Sequence, residues 1–152
     1  MPNANRVPTT QVPLTDPTTG LISRAWFRFF ENLNTIVSDV YTPTLVNTTN
    51  IASSTPAICQ YFQIYNVLTV SGQVTIQATA TGACNLKMTL PVASKFTFSG
   101  QAAGTFATTT AGGTAQGAIL ADITNDQLEF RFTATNTTST VYSFTATYQL
   151  VQ

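Results

Sequence analysis

Asp122, Asp126 and Glu129 fall within the stretch "DITNDQLE" and are the only carboxylates near one another in the sequence. A pair of carboxylates can divide acid and base roles in a hydrolysis, and together with Asn125 they are the clustered oxygen donors that Ca²⁺ takes. The pattern around them argues for simpler roles. Asp126 falls between two apolar runs, where Asn and Asp hydrogen-bond their own backbone in a turn. Glu129 alternates with Leu128 and Phe130 and stands beside Arg131, which predicts a solvated charge on the outward face of a strand.

The remaining chemistry is equally sparse. The chain has no histidine, the commonest general base. Cys59 and Cys84 alone cannot complete a four-ligand metal site. The polar opening "MPNANRVPTTQVPLTDPTTG" lacks the apolar run of a signal peptide. A reducing compartment is therefore expected, with both thiols acting as small buried apolar groups rather than as a disulfide. "AGGTAQG" at 111–117 has neither the lysine nor the following helix of a phosphate-binding loop. Tyr61, Phe62 and Tyr65 could form a stacking platform for bases or sugars, but with so little charge nearby they read as packing residues. No reaction, cofactor or metal is expected.

Charged residues make up 8% of the 152 and the formal net charge is +0, against roughly 25% charged in ordinary soluble chains. There is no basic excess to release counterions from a nucleic acid, and near-neutrality favours association. No apolar run approaches the roughly 18–20 residues of a membrane span. The length suits one main domain with an appendage.

The elements follow from periodicity. Pro2, Pro8, Pro13 and Pro17 predict an extended arm over residues 1–20, and "DPTTG" predicts a turn at its end. Ile22, Trp26, Phe29, Leu33, Ile36 and Val40 recur at three- and four-residue steps, which predicts a helix over 22–40. Phe27, Phe30 and Val37 widen its apolar stripe. Arg24, Arg28 and Glu31 lie on the polar face, with Ser23 as N-cap. Arg24 and Arg28 could grip a partner's carboxylate, or Arg28 could simply pair with Glu31.

From Thr42 the period becomes two. Val74, Ile76 and Ala78, then Leu86 and Met88, Phe96 and Phe98, Leu128, Phe130 and Phe132, and finally Tyr142, Phe144, Ala146 and Tyr148 alternate with polar residues. "SGQ" at 71–73, "TGAC" at 81–84, "TND" at 124–126 and "TNTTST" at 135–140 read as turns. A less regular strand is expected over "CQYFQIYNVLTV", with shorter ones near 45–51, 103–109 and 117–123. The expected class is mainly β: an arm and one amphipathic helix over 1–41, then an antiparallel β-sandwich of about eight strands over 42–152, jelly-roll or immunoglobulin-like. Such a sandwich fills its inner faces with its own strands. The broad apolar helix face is then expected to be buried against another subunit.

"PLTDPTTGLISRAWFRFFENLN" resembles the N-terminal segment of many virion proteins of tailed bacteriophages, in which P-x-x-D-x-x-x-G precedes a W-x-x-F-F-x-x-L helix. "VLTVSGQVTI", "LPVASKF", "ITNDQLEFRF" and "YSFTATYQL" are similar to a β domain of phage fibre, head and decoration components. The resemblance implies a non-enzymatic virion part, assembled in the bacterial host cytoplasm. It implies a capsid decoration or cement protein, or a short head spike, since the chain lacks the shaft and tip of a long fibre. The partners implied are a second or third copy of the chain and other virion proteins such as the major capsid protein, with no nucleic acid and no membrane. The protein interface would comprise Ile22, Arg24, Trp26, Phe27, Arg28, Phe29, Phe30, Leu33, Ile36 and Val37. The alternative is a short tail-fibre or adaptor subunit that binds a host surface glycan or protein. A free carbohydrate-binding module is a third class.

Overall fold

The structure, a computed structural model, describes residues 7–8, 11–33, 36–109 and 115–151, without the side chains of residues 32, 33 and 36. The chain divides into two compact units, Met1–Val37 and Ser38–Gln152. The first holds one helix, α1 (Arg24–Leu33). The second is built from antiparallel strands: β1 (Ile36–Tyr41, entered from the first unit), β2 (Leu45–Thr49), β3 (Ile51–Pro56), β4 (Cys59–Ile64), β5 (Val67–Ala78), β6 (Gly82–Thr89), β7 (Ala102–Thr108), β8 (Gln116–Asp122), β9 (Gln127–Ala134) and β10 (Thr140–Gln149).

The helix is shorter than its periodicity predicts. Ile36, Val37 and Val40 belong to β1, because a four-residue step is a multiple of the strand period as well as close to one helical turn. Ile36 and Val40 therefore fitted both patterns, and the β-branched composition of "IVSDVY" decides for the strand. Asn34 and Thr35, between the two elements, lie outside the described residues, as do 111–114 of the glycine-rich loop.

Three further expectations are corrected. "SGQ" is not a turn but the middle of β5, which runs unbroken for 12 residues. Gly72 is needed there because an added Cβ would run into the Cys59 sulfur. "CQYFQIYNVLTV" is not one strand but a hairpin of β4 and β5, reversed at Tyr65, whose φ is 54°. Phe96 and Phe98 do not sit on a strand. Their segment is irregular, and its backbone is satisfied by side chains: Asp126 accepts the N–H groups of Ser94 (2.9 Å) and Phe96 (3.1 Å), and Gln101 accepts those of Thr97 (2.5 Å) and Phe98 (3.1 Å). A segment with such internal partners can be buried without strand pairing.

Hydrogen bonding joins all ten strands into one sheet, in the order β1-β4-β5-β10-β7-β8-β9-β6-β2, with β3 also on β5. The class is mainly β and antiparallel, as expected, but the strands follow one continuous path instead of parting into two sheets. The path curls because its two ends are neighbours in sequence. Only residues 42–44 join β1 to β2, which holds the sheet's edges within roughly 14 Å of each other. Thr44 in this connection extends the β2–β6 pairing (Thr89 N–H to the Thr44 carbonyl, 3.0 Å), and the Tyr41 hydroxyl at the end of β1 reaches across to the Thr89 carbonyl (3.4 Å).

One face of the curled sheet is the core. Along β10 the residues Tyr142, Phe144, Ala146 and Tyr148 point inward, and the residues between them face out. Phe106 meets Phe130 at 5.2 Å and both Phe132 and Tyr142 at 5.5 Å, mostly edge to face, a geometry that adds about 1 kcal/mol per pair to area burial. The core is drawn from residues 59–148 and its partly buried fringe from residues 41–150. The sheet thus closes on its own side chains.

Candidate interaction site

The first unit is organised by one turn. The Asp16 carboxylate accepts the N–H of Thr18 (2.8 Å), its backbone N–H donates to Leu21 (2.7 Å), and Gly20 supplies the left-handed φ of +71° that closes the loop. The chain doubles back so that Thr15 bridges Ile22. Three successive carbonyls of the arm are then taken by the helix start. Val12 accepts from the Trp26 indole N–H (2.9 Å), Pro13 from the Ser23 hydroxyl (2.8 Å), and Leu14 from the Ser23 backbone N–H (2.8 Å). Over residues 11–15 the arm is therefore not a free extended segment but a strap on the helix. Ser23 accepts the first helical bond from Phe27 through its carbonyl (2.9 Å), while its hydroxyl is spent on Pro13.

Trp26, Phe29 and Phe30 form one aromatic cluster, with ring centroids 5.7–5.9 Å apart. Trp26 and Phe29 are half-buried. Phe27 and Phe30 remain 52% and 43% exposed, and Leu14, Leu21 and Ile22 at least half exposed. Arg24, Arg28 and Glu31 are exposed, and among the described residues neither arginine is ion-paired, as is usual of solvated arginines. Leu33 ends the helix, but its side chain and that of Ile36 lie outside the described residues. Val37 is exposed and stands on β1, in a different element from the others. The structure therefore brings Ile22, Trp26, Phe29 and Phe30 to one strapped helix start and places Ile36 and Val37 on β1. Sequence reasoning missed the carbonyls of Val12, Pro13 and Leu14, since backbone acceptors carry no side-chain signature.

The three carboxylates of "DITNDQLE" do not converge on a reaction. Asp122 is ion-paired with Lys87 (2.7 Å) and accepts from Asn125 (2.7 Å) and Thr124 (3.1 Å). Burial raises its pKa, but the bonds from Lys87, Asn125 and Thr124 and the Lys87 charge outweigh burial and hold it below the usual carboxylate value. Glu129 is not solvated on the sheet's outer side. It is 8% exposed, held by Asn85 and by the Arg131 guanidinium, because β6, β8 and β9 crowd this face with each other's side chains. Asp126 sits in its turn with φ 53° and serves the 94–96 backbone. No group of three metal-ligating residues occurs among the described residues.

The aromatic residues of "YFQIY" do not make one platform. Tyr61 packs on Tyr41 (6.1 Å), Phe62 is exposed, and Tyr65 is in the hairpin turn. Burial pushes the Tyr41 and Tyr148 hydroxyls far above their ordinary pKa. Tyr148 both donates to and accepts from the Val92 backbone (2.8 and 3.4 Å), as a structural clamp would. Cys59 and Cys84 are both free and buried. No protein-family model matches the chain, and neither a curated protein nor a solved structure does.

Proposed function

We propose that the chain is a non-enzymatic structural component of a tailed-phage virion, a capsid decoration or short head-spike protein that docks through its strapped helix and displays its β unit. One observation carries this reading. The β unit completes its core without the helix, while Phe27, Phe30, Leu21 and Ile22 stay largely exposed on a start that Trp26 and Ser23 have rigidified. Aromatic residues held in place before contact lose little entropy on binding, which is what an anchor needs. The near absence of charge on the chain suits assembly on a symmetric surface.

Trp26→Ala combined with Phe30→Ala should abolish incorporation into purified particles and leave the β unit's unfolding transition unchanged. Cooperative loss of that transition in the double variant would make the helix part of the fold and end the docking reading. Hundreds of copies per particle are expected for a head decoration. A handful would move the protein to the adsorption apparatus.

A further inference from the structure

At one end of the curled sheet the ends of β5, β7 and β9 lie beside the start of β10, and the described residues leave space between them. A cavity of about 490 Å³ opens among β5, β7, β9 and β10, within the roughly 300–1,000 Å³ usual for small-molecule sites, which favour the mouths of curled sheets. Its floor is apolar and aromatic, from Ile76, Ala78, Phe132 and Tyr142. Its rim is amide and hydroxyl, from Asn136 and Thr140 among others, and none of its lining side chains carries a charge.

Two hydroxyls on the wall have no hydrogen-bond partner among the described residues. Thr108 and Tyr142 are directly opposed across β7 and β10, so both side chains project from the same face of the sheet. The Thr108 hydroxyl is buried and makes no hydrogen bond among the described residues. The Tyr142 hydroxyl makes none among the described residues, although burial raises its pKa and keeps it a neutral donor. A buried hydroxyl left unpaired is costly, and Thr108 lines the cavity.

We propose that this cavity binds one neutral sugar ring, its C–H face against the apolar floor and its hydroxyls on Thr108, Tyr142 and the rim. An ion would find no counter-charge there, and a purely apolar molecule would leave the hydroxyls unpaired. A saccharide offers both an apolar face and groups that donate and accept at once. Its lining residues all belong to the β unit, and the site stands or falls whether or not the chain decorates a particle.

Methyl-detected NMR of the full chain tests it, with D-glucose, D-galactose, D-mannose and N-acetyl-D-glucosamine titrated to tens of millimolar and D-glucuronate as the charged control. At least one neutral sugar should shift the methyls of Thr108, Ala115 and Ala134 while leaving Ala121, at the opposite end of β8, unmoved. Thr108→Val, which conserves volume, should raise the Kd for that sugar at least tenfold without lowering stability, and Tyr142→Phe should do the same to the Kd. Silence with all four sugars, equal binding of glucuronate, or an unchanged Kd in Thr108→Val would each overturn the proposal. So would a stability loss in Thr108→Val, since it would mean that the hydroxyl already has a partner.

Discussion

The Asn50 side-chain amide holds both backbone groups of Ala80, donating to its carbonyl at 2.8 Å and accepting its N–H at 2.9 Å. Asn50 is the only residue between β2 and β3, and Ala80 lies in the turn between β5 and β6. One side chain therefore ties the β2–β3 reversal to the β5–β6 turn. Asn50 also takes a φ of 55°, a left-handed conformation that Asn tolerates and most residues do not.

These two roles separate by substitution. Asn50→Gly keeps the backbone freedom and loses the amide, so it should cost about 1 kcal/mol. Asn50→Ala loses both and should cost about 2 kcal/mol or more. Urea denaturation with an unchanged m-value measures the difference; equal losses would mean that φ at this position carries no strain.

Gly117 and Gly104 set the closest backbone approaches in the sheet. A Cβ at Gly117 would meet the Arg131 carbonyl and lie 2.5 Å from the Phe106 ring, and one at Gly104 would lie 2.5 Å from the Thr145 carbonyl. Since backbone cannot give way as a flexible side chain can, Gly117→Ala should destabilise by about 3 kcal/mol. A thermal melt within error of the original would show that the strands can part there.

Lys87→Met should make stability less dependent on pH. Asp122 has a depressed pKa in the fold, so its contribution is complete above the unfolded value near 3.8 and is lost as pH falls through the lower folded value. The variant should be less stable at pH 7 by about 2 kcal/mol, the order expected for a charge-assisted bond. It should converge with the original chain below the folded pKa, where Asp122 is protonated in both. A constant gap across the acid range would assign the loss to packing of the lysine stem instead.

Both thiols should be silent in the native state. Cys59 has no exposed surface, Cys84 is 4% exposed, and burial raises the Cys59 pKa, which suppresses the thiolate that reacts. A colorimetric disulfide reagent should find no thiol before denaturation and both afterwards. Stoichiometric native labelling would reveal an opening of the β4–β5 hairpin, where Cys59 sits against Gly72.

The only tryptophan of the chain is Trp26, half-buried beside exposed Phe27 and Phe30. Docking through that surface should shift its emission to the blue and shield it from acrylamide. Emission unchanged between free protein and assembled particle would remove the helix from the interface.

The strands were the most legible part of the sequence. Alternation from Tyr142 to Tyr148, and from Leu128 to Phe132, determines which residues go inward, because a period of two admits one buried face. The helix start at Trp26 was legible from its apolar steps, whereas its end was not, because Ile36 and Val40 satisfy two periods at once. Gly72 read as a turn because glycine breaks a strand as readily as it admits a neighbour, and only the Cys59 sulfur against it distinguishes the two.

By itself the sequence determined the mainly β class, most of the inward residues and the aromatic start of the helix, all of which depend on residue type and local spacing. Only the tertiary structure decided that the strands follow one curled path, that Asp122 and Glu129 are paired under the outer face, that Val12, Pro13 and Leu14 strap the helix, and that Thr108 and Tyr142 face an open cavity. Each of those results brings together residues far apart in the chain or uses backbone groups that every residue shares. Local pattern carries no record of either.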